Sequence, residues 1–427
     1  MIVRDPIDAR RTMSLTLFKN VHVLDVRGGR LLEDHQVLVE GALVRELSDR
    51  PITSGSAQVI DGGGRTLMPG LIDCHVHVTF SQTNLGLLAQ TPNTTLAYRA
   101  LPILRGMLRR GFTTVRDAGG ADWALKQAID DGIDDAVTGP RLFVSGPALS
   151  PTGGHGDFRP RSDRLQPMGC GCQRLASTRL VDGVDAVRQA VRELLQMGAD
   201  QIKIMSSGGV ASPTDPVNAL GYSLEETRAI VDEAAARHTY VLAHAYTPDA
   251  IRRAVECGVR SIEHGNLIDA PTATLMAERG AYAVPTLITY EALARDGARL
   301  GLGADSVAKI AQVREAGLQS LEILKAADVK MAFGTDLLGA SHDLQSEEFL
   351  IRAQVQSNLE VLQSATIVGA ELLNQTGQLG EIAPGARADL LLVDGNPLAD
   401  LACLTGQGER IPLVIQGGNL RVNALTA

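Results

Sequence analysis

Between residue 66 and about residue 375, short apolar runs alternate eight times with amphipathic helical patterns, and this rhythm limits the chain more than any other feature. The runs are Gly70–Val78, Thr113–Asp117, Arg141–Gly146, Gln201–Ser206, Tyr240–Ala245, Arg260–His264, Ala281–Thr286 and Val329–Asp336. Several intervening helices carry start signals. Ser223-Leu224-Glu225-Glu226 is a capping box, in which the serine takes an N3 amide and the glutamate reaches back. Thr247-Pro248 offers an N-cap followed by proline at N1, where no N–H is needed. Val184–Met197 spaces its apolar residues at helical intervals. Eight such units predict a (β/α)8 barrel, whose active groups gather at the C-terminal ends of the strands.

Both chain ends read differently. Leu17–Asp25, Gln36–Gly41 and Leu43–Leu47 follow period two, as do Ala388–Asp394 and Leu413–Gly417 near the other end. The expected architecture is therefore α/β: a (β/α)8 TIM barrel over residues 67–375, with a small composite β-sandwich domain formed by both chain ends, 1–66 and 376–427. There is no internal repeat, no Walker A motif and no G-x-G-x-x-G.

Length and charge narrow the function. At 427 residues the chain can bury a large core. Its net charge of −9 argues against nucleic acid and anionic membranes, which want a basic face. No run approaches a membrane span, and the N-terminal residues lack an apolar leader core, so a cytoplasmic protein is expected. Five scattered cysteines fit a reducing compartment. Cys170-Gly171-Cys172 reads as a loop with bystander thiols, because no second cysteine pair exists to complete a tetrahedral metal site.

The candidate chemistry sits at strand ends. His75 and His77 lie two residues apart on a strand, so both imidazoles share one face and can bind one metal. They end an otherwise apolar run, where an unpartnered polar group is costly. Lys203 is one of only six lysines and falls inside the apolar strand Gln201-Ile202-Lys203-Ile204-Met205. A buried ammonium needs a partner or a changed charge state. Carboxylation by carbon dioxide would give an anion able to bridge two cations; the alternative is an ion-paired or snorkelling lysine. His244, His264 and Asp336 end the fifth, sixth and eighth runs, and a helix N-cap is the alternative for Asp336. Four histidines, one lysine and one aspartate at five strand ends could together hold two divalent cations.

That set resembles the amidohydrolase superfamily. Pro69-Gly70-Leu71-Ile72-Asp73-Cys74-His75-Val76-His77, Lys203, His244, His264 and Thr335-Asp336 carry the resemblance, and Gly380–Leu390 looks like the family's C-terminal signature. It covers roughly residues 15–425. Pro151–Gly156, Ser206–Val210 and His244-Ala245-Tyr246 are similar to the prolidase-like branch, which includes Xaa-Pro and Xaa-Arg/Lys carboxypeptidases and, nearest, bacterial ochratoxin A amidohydrolases.

The resemblance implies two divalent metal ions, zinc fitting the ligand types best. His75, His77 and Asp336 would hold one, His244 and His264 the other, with N6-carboxylated Lys203 as the bridge. Asp336 would shuttle the proton from an activated water to the leaving amine. His155 and Tyr246 would contact a substrate carboxylate or carbonyl, with Val210, Arg159 and Arg161 as further substrate-binding candidates. The implied substrate is a small molecule with a free carboxylate, cleaved at an amide beside a C-terminal amino acid, and the implied assembly is a homo-oligomer, an octamer by resemblance. A cyclic-amide hydrolase of the imidazolonepropionase or hydantoinase type is the alternative, and a non-catalytic scaffold a more remote one. The long segment 149–178 is expected to be a lid or a subunit contact.

Overall fold

A computed structural model describes residues 14–132, 137–159, 177–212, 215–297 and 304–425. The chain opens with strands β1 (Leu15–Asp25), β2 (Arg30–Glu40), β3 (Leu43–Ser48) and β4 (Gln58–Pro69). The barrel follows with β5 (Leu71–Val76), β6 (Phe112–Asp117), β7 (Arg141–Val144), β8 (Ala148–Ser150), β9 (Thr178–Leu180), β10 (Ile202–Met205), β11 (Val241–Ala245), β12 (Ser261–His264) and β13 (Tyr282–Val284). Strands β14 (Leu390–Val393), β15 (Leu413–Gln416) and β16 (Asn419–Asn423) end the chain. One seven-stranded mixed sheet runs β16-β15-β14-β4-β1-β2-β3, so both chain ends build it together, as the two alternating patterns predict. Its seam is β14 against β4, antiparallel, with Leu391 opposite Met68. The long strand β4 escaped the sequence pattern because Gly62-Gly63-Gly64 interrupts its alternation.

The barrel is parallel but distorted. Seven of the eight predicted runs form strands. The third gives β7, which pairs with β6, and just beyond that run the chain forms β8, which pairs with β10. Gly146, at φ +66°, and Pro147, which has no N–H to give a ladder, make the break. The eighth run, Val329–Asp336, is not a regular strand, yet it closes the ring. Its backbone exchanges hydrogen bonds with Ala283 on one side (Ala332 N to Ala283 O, 2.9 Å) and meets β5 on the other (Cys74 N to Phe333 O, 2.7 Å). Gly334 permits the passage, because a Cβ there would lie 2.4 Å from Val284 and 2.9 Å from the Cβ of His75.

The helix starts match their signals where these are strongest. Ser223 Oγ accepts the Glu226 amide, and the Glu226 carboxylate accepts the Ser223 amide. Pro248 occupies the first turn of Pro248–Glu256, but the Thr247 side chain makes no cap bond. Under the strands, Phe112, Phe333 and Phe349 pack as an aromatic cluster, with the Phe333–Phe349 rings 4.5 Å apart. Among the described residues, no helix is long and apolar enough to cross a membrane.

Candidate active site

Strand β5 is buried along its whole length and delivers His75, with His77 just beyond its end. The eighth run returns beside it, and the amides of Thr335 and Asp336 both donate to His75 O. Asp73 locks this junction: it accepts the His75 amide at 3.0 Å, the Thr335 hydroxyl at 2.6 Å and the Gln345 amide at 2.9 Å. Asp336 and His264 both adopt left-handed backbone (φ +53° and +72°), which is rare outside glycine.

The hydrogen bonds of the two histidines fix which nitrogen points where. His75 Nδ1 lies 2.6 Å from a Glu263 carboxylate oxygen, and His77 Nδ1 lies 2.7 Å from the carbonyl of Gly119. Both partners are acceptors, so both Nδ1 atoms donate and the Nε2 atoms are the ones left to face a metal. Those Nε2 atoms converge on Asp336 Oδ1, at 3.5 Å and 3.2 Å. His75 Nε2 is buried without a hydrogen bond. Donor atoms of His75, His77 and Asp336 all lie within 4.8 Å of one another. Two imidazole nitrogens and a carboxylate at this spacing suit a divalent transition-metal ion. Burial works against charging Asp336, but His75, His77 and His264 outweigh it and hold its carboxyl well below the usual range.

A buried framework supports these ligands, and sequence reasoning missed it. Arg116 donates to the Glu263 carboxylate at 2.8 and 3.0 Å, to Ser261 Oγ at 3.0 Å and to the carbonyl of Cys74. Asp117 accepts the amides of Val78, Gly119 and Ala121, which sets the loop whose Gly119 carbonyl orients His77. Arg116 and Glu263 are charged residues inside fully buried strands, the same signal that singles out Lys203.

His244 and His264 also reach the pocket. His244 Nε2 donates to Gly208 O at 3.1 Å, and His264 Nδ1 lies 2.8 Å from Thr286 Oγ1. Burial pushes the pKa of each well below the ordinary histidine value, so both rings are neutral. The expectation of two metals bridged by carboxylated Lys203 is not upheld. Among the described residues, only His75, His77 and Asp336 form a three-donor group, and no second such group gathers around His244 and His264. Lys203 lines the pocket, and burial lowers its pKa to about 8 despite the opposing charges of Glu263 and Asp336.

The substrate-binding candidates divide. His155 stacks on His244, ring centres 4.3 Å apart and 22° between planes, and Tyr246 lies 5.4 Å from His264. Tyr246 accepts a 2.9 Å hydrogen bond from Tyr290, a pocket residue the sequence did not mark. Val210 joins His155 and Tyr246 in the pocket wall. Arg159 turns instead onto the carboxylate of Asp157 at 2.6 and 2.7 Å and is not among the lining residues. Arg161, Cys170, Cys172 and most of the expected lid, residues 160–176, lie outside the described residues.

Comparison with known proteins agrees with this geometry. A model described as the amidohydrolase family matches residues 66–420. Ochratoxinase from Aspergillus niger is 32% identical over 366 residues, covering 83% of this chain and 75% of that protein. This relative is fungal, whereas the sequence motifs pointed to bacterial counterparts. A crystal structure of an amidohydrolase superposes with a TM-score of 0.95 at 60% identity, covering 97% of this chain and 100% of the other. A prolidase complexed with N-methylphosphonate-L-proline gives 0.93 at 57% identity, covering 95% and 99%.

Proposed function

This chain belongs to the amidohydrolase family and is a hydrolase of C–N bonds, and from that premise we propose that it releases a C-terminal amino acid with an apolar side chain from an acyl group. Dipeptides ending in proline, N-acyl amino acids and ochratoxin A, which would yield phenylalanine, are the substrates to expect. One observation carries this choice. The pocket wall is built from Phe80, Leu85, Phe158, Val210, Leu293 and Leu338, and among its described lining residues Asp336 is the only carboxylate. Asp336 is committed to the histidine pair, so nothing described there would neutralise a lysine or arginine side chain of the substrate. The relatives named prolidase and ochratoxinase support the same class.

His75, His77 and Asp336 would hold a divalent cation, which when bound would supply the Lewis acidity that lowers the pKa of a water and polarises a carbonyl. Asp336, ionised and facing the pocket, accepts the proton of the attacking water and hands it to the leaving nitrogen. His155 and Tyr246 hold the substrate carboxylate or carbonyl, and the neutral rings of His244 and His264 border the reacting amide. The apolar wall excludes water and takes the side chain.

The test is a hydrolysis screen of metal-loaded protein with N-acyl-proline, N-acyl-phenylalanine, N-acyl-arginine, ochratoxin A, a hydantoin and a lactam. Cleavage of the apolar N-acyl amino acids that disappears with a chelator and returns with added metal is expected. Turnover of the cyclic amides alone would replace this reading with the cyclic-amide one.

A further inference from the structure

Lys309 makes a set of contacts that the chemistry above does not use. It lies on the helix Ala304–Glu315, remote in sequence from the turn that follows β10. Its ammonium donates to the backbone carbonyls of Gly209 (3.1 Å), Ser212 (3.0 Å) and Asp215 (2.6 Å). An ammonium has three donors, so these three acceptors can saturate it, and all three belong to one turn. The chain has only six lysines against thirty-four arginines, and this position suits lysine. Three carbonyls converging on a point fit a compact ammonium, whereas the planar guanidinium fork spreads its donors apart.

The same turn carries one wall of the pocket. Val210 and Ala211 line it, and Ser212 Oγ lies 2.5 Å from His155 Nδ1. Asp215 Oδ2 accepts the Gly209 amide at 2.7 Å and sits 3.6 Å from His155 Nδ1. The His155 ring lies against Gly209, where a Cβ would lie 2.1 Å from its Cε1, and it stacks on His244. His155 therefore has its orientation set by Gly209, Ser212 and Asp215, the three residues whose carbonyls Lys309 gathers.

We propose that Lys309 is a positioning residue for substrate recognition: it clamps the turn on which His155 and Val210 are mounted, and so governs substrate affinity from outside the pocket. The role of His155 rests on the functional reading above, whereas the clamp itself rests on the three hydrogen bonds. The test compares metal-loaded wild type with Lys309→Met, which keeps the aliphatic stem, and Lys309→Arg, which keeps the charge. Hydrogen exchange of the peptide spanning residues 206–221 should quicken about tenfold or more in both variants, with the barrel strands unchanged. The KM for an N-acyl-proline should rise about tenfold, with kcat within about threefold of wild type. In Lys309→Ala, added propylammonium should restore part of the lost affinity, an effect that a general loss of helix packing would not produce. Unchanged exchange overturns the clamp whatever the substrate proves to be. Faster exchange with an unchanged KM, or a fall in kcat alone, overturns its part in recognition. If wild type cleaves no N-acyl amino acid, the functional reading fails, and the exchange measurement still decides the clamp.

Discussion

Glu263 accepts a 2.6 Å hydrogen bond from Nδ1 of His75, and this contact decides which nitrogen His75 turns toward the metal position. Burial opposes ionising Glu263, but the charge of Arg116 and the bond from His75 outweigh it and hold the carboxyl far below its usual range. An ionised carboxylate can only accept, so His75 must donate from Nδ1 and offer Nε2.

Glu263→Gln keeps the shape but lets the side chain donate as well as accept. The orientation of His75 is then no longer enforced, and metal affinity should fall about 10–100-fold. Arg116 also loses its counter-charge at a fully buried position, so unfolding should become easier by about 3–5 kcal/mol. Isothermal titration of the apo protein with a divalent metal, paired with a denaturant melt, measures both effects. Unaltered metal affinity would show that the Gly119–His77 contact alone suffices.

Asp336→Asn separates holding the metal from moving the proton. The amide oxygen can still ligate, more weakly than a carboxylate, but it cannot take up a proton near neutral pH. At saturating metal, kcat should drop by about 10²–10⁴-fold while the metal remains bound. Metal content and turnover measured on the same sample decide the matter; turnover within about tenfold of wild type removes Asp336 from the shuttle.

The barrel and the candidate metal-binding group were legible because both leave local traces. Apolar runs of strand length recur with helices between them, and His75, His77 and Asp336 stand at the ends of such runs. Strands β8 and β9 left no such trace, since three residues carry no period. Val329–Asp336 reads as a strand but is held by bonds to Ala283, Cys74 and His75 rather than by a full ladder. The framework of Arg116, Glu263 and Asp117 was half visible, as charge in strands that should be apolar. The pairing of Lys309 with Gly209 was not visible, because it joins positions 100 residues apart through tertiary packing alone. The second metal was inferred from residue types at strand ends, and residue type does not report whether donor atoms converge.

The aromatic cluster tests how far the eighth run depends on packing in place of a ladder. Phe333 is fully buried between Phe112 and Phe349, with the Arg352 guanidinium 5.3 Å from its ring centre. Its carbonyl also accepts the Cys74 amide on the strand that carries His75. Phe333→Ala should cost about 3–5 kcal/mol in a denaturant melt. A loss below about 1 kcal/mol would mean that the surrounding side chains collapse into the space.

Gly209 and His155 give the sharpest test of the recognition wall, because their contact is steric. The backbone of Gly209 is not in the left-handed region, so Gly209→Ala carries no conformational penalty of that kind; its methyl would instead sit 2.1–2.6 Å from three atoms of the His155 ring. The ring must leave its stack on His244, and the KM for an N-acyl-proline should rise about as far as it does in His155→Ala. In the His155→Ala background the methyl meets no ring, so adding Gly209→Ala should change little. A double-mutant cycle on KM exposes this as strong non-additivity, with a coupling on the order of 0.5–3 kcal/mol. Additive effects would mean that Gly209→Ala acts on the turn itself, through its hydrogen bonds to Asp215 and Lys309, rather than by displacing His155.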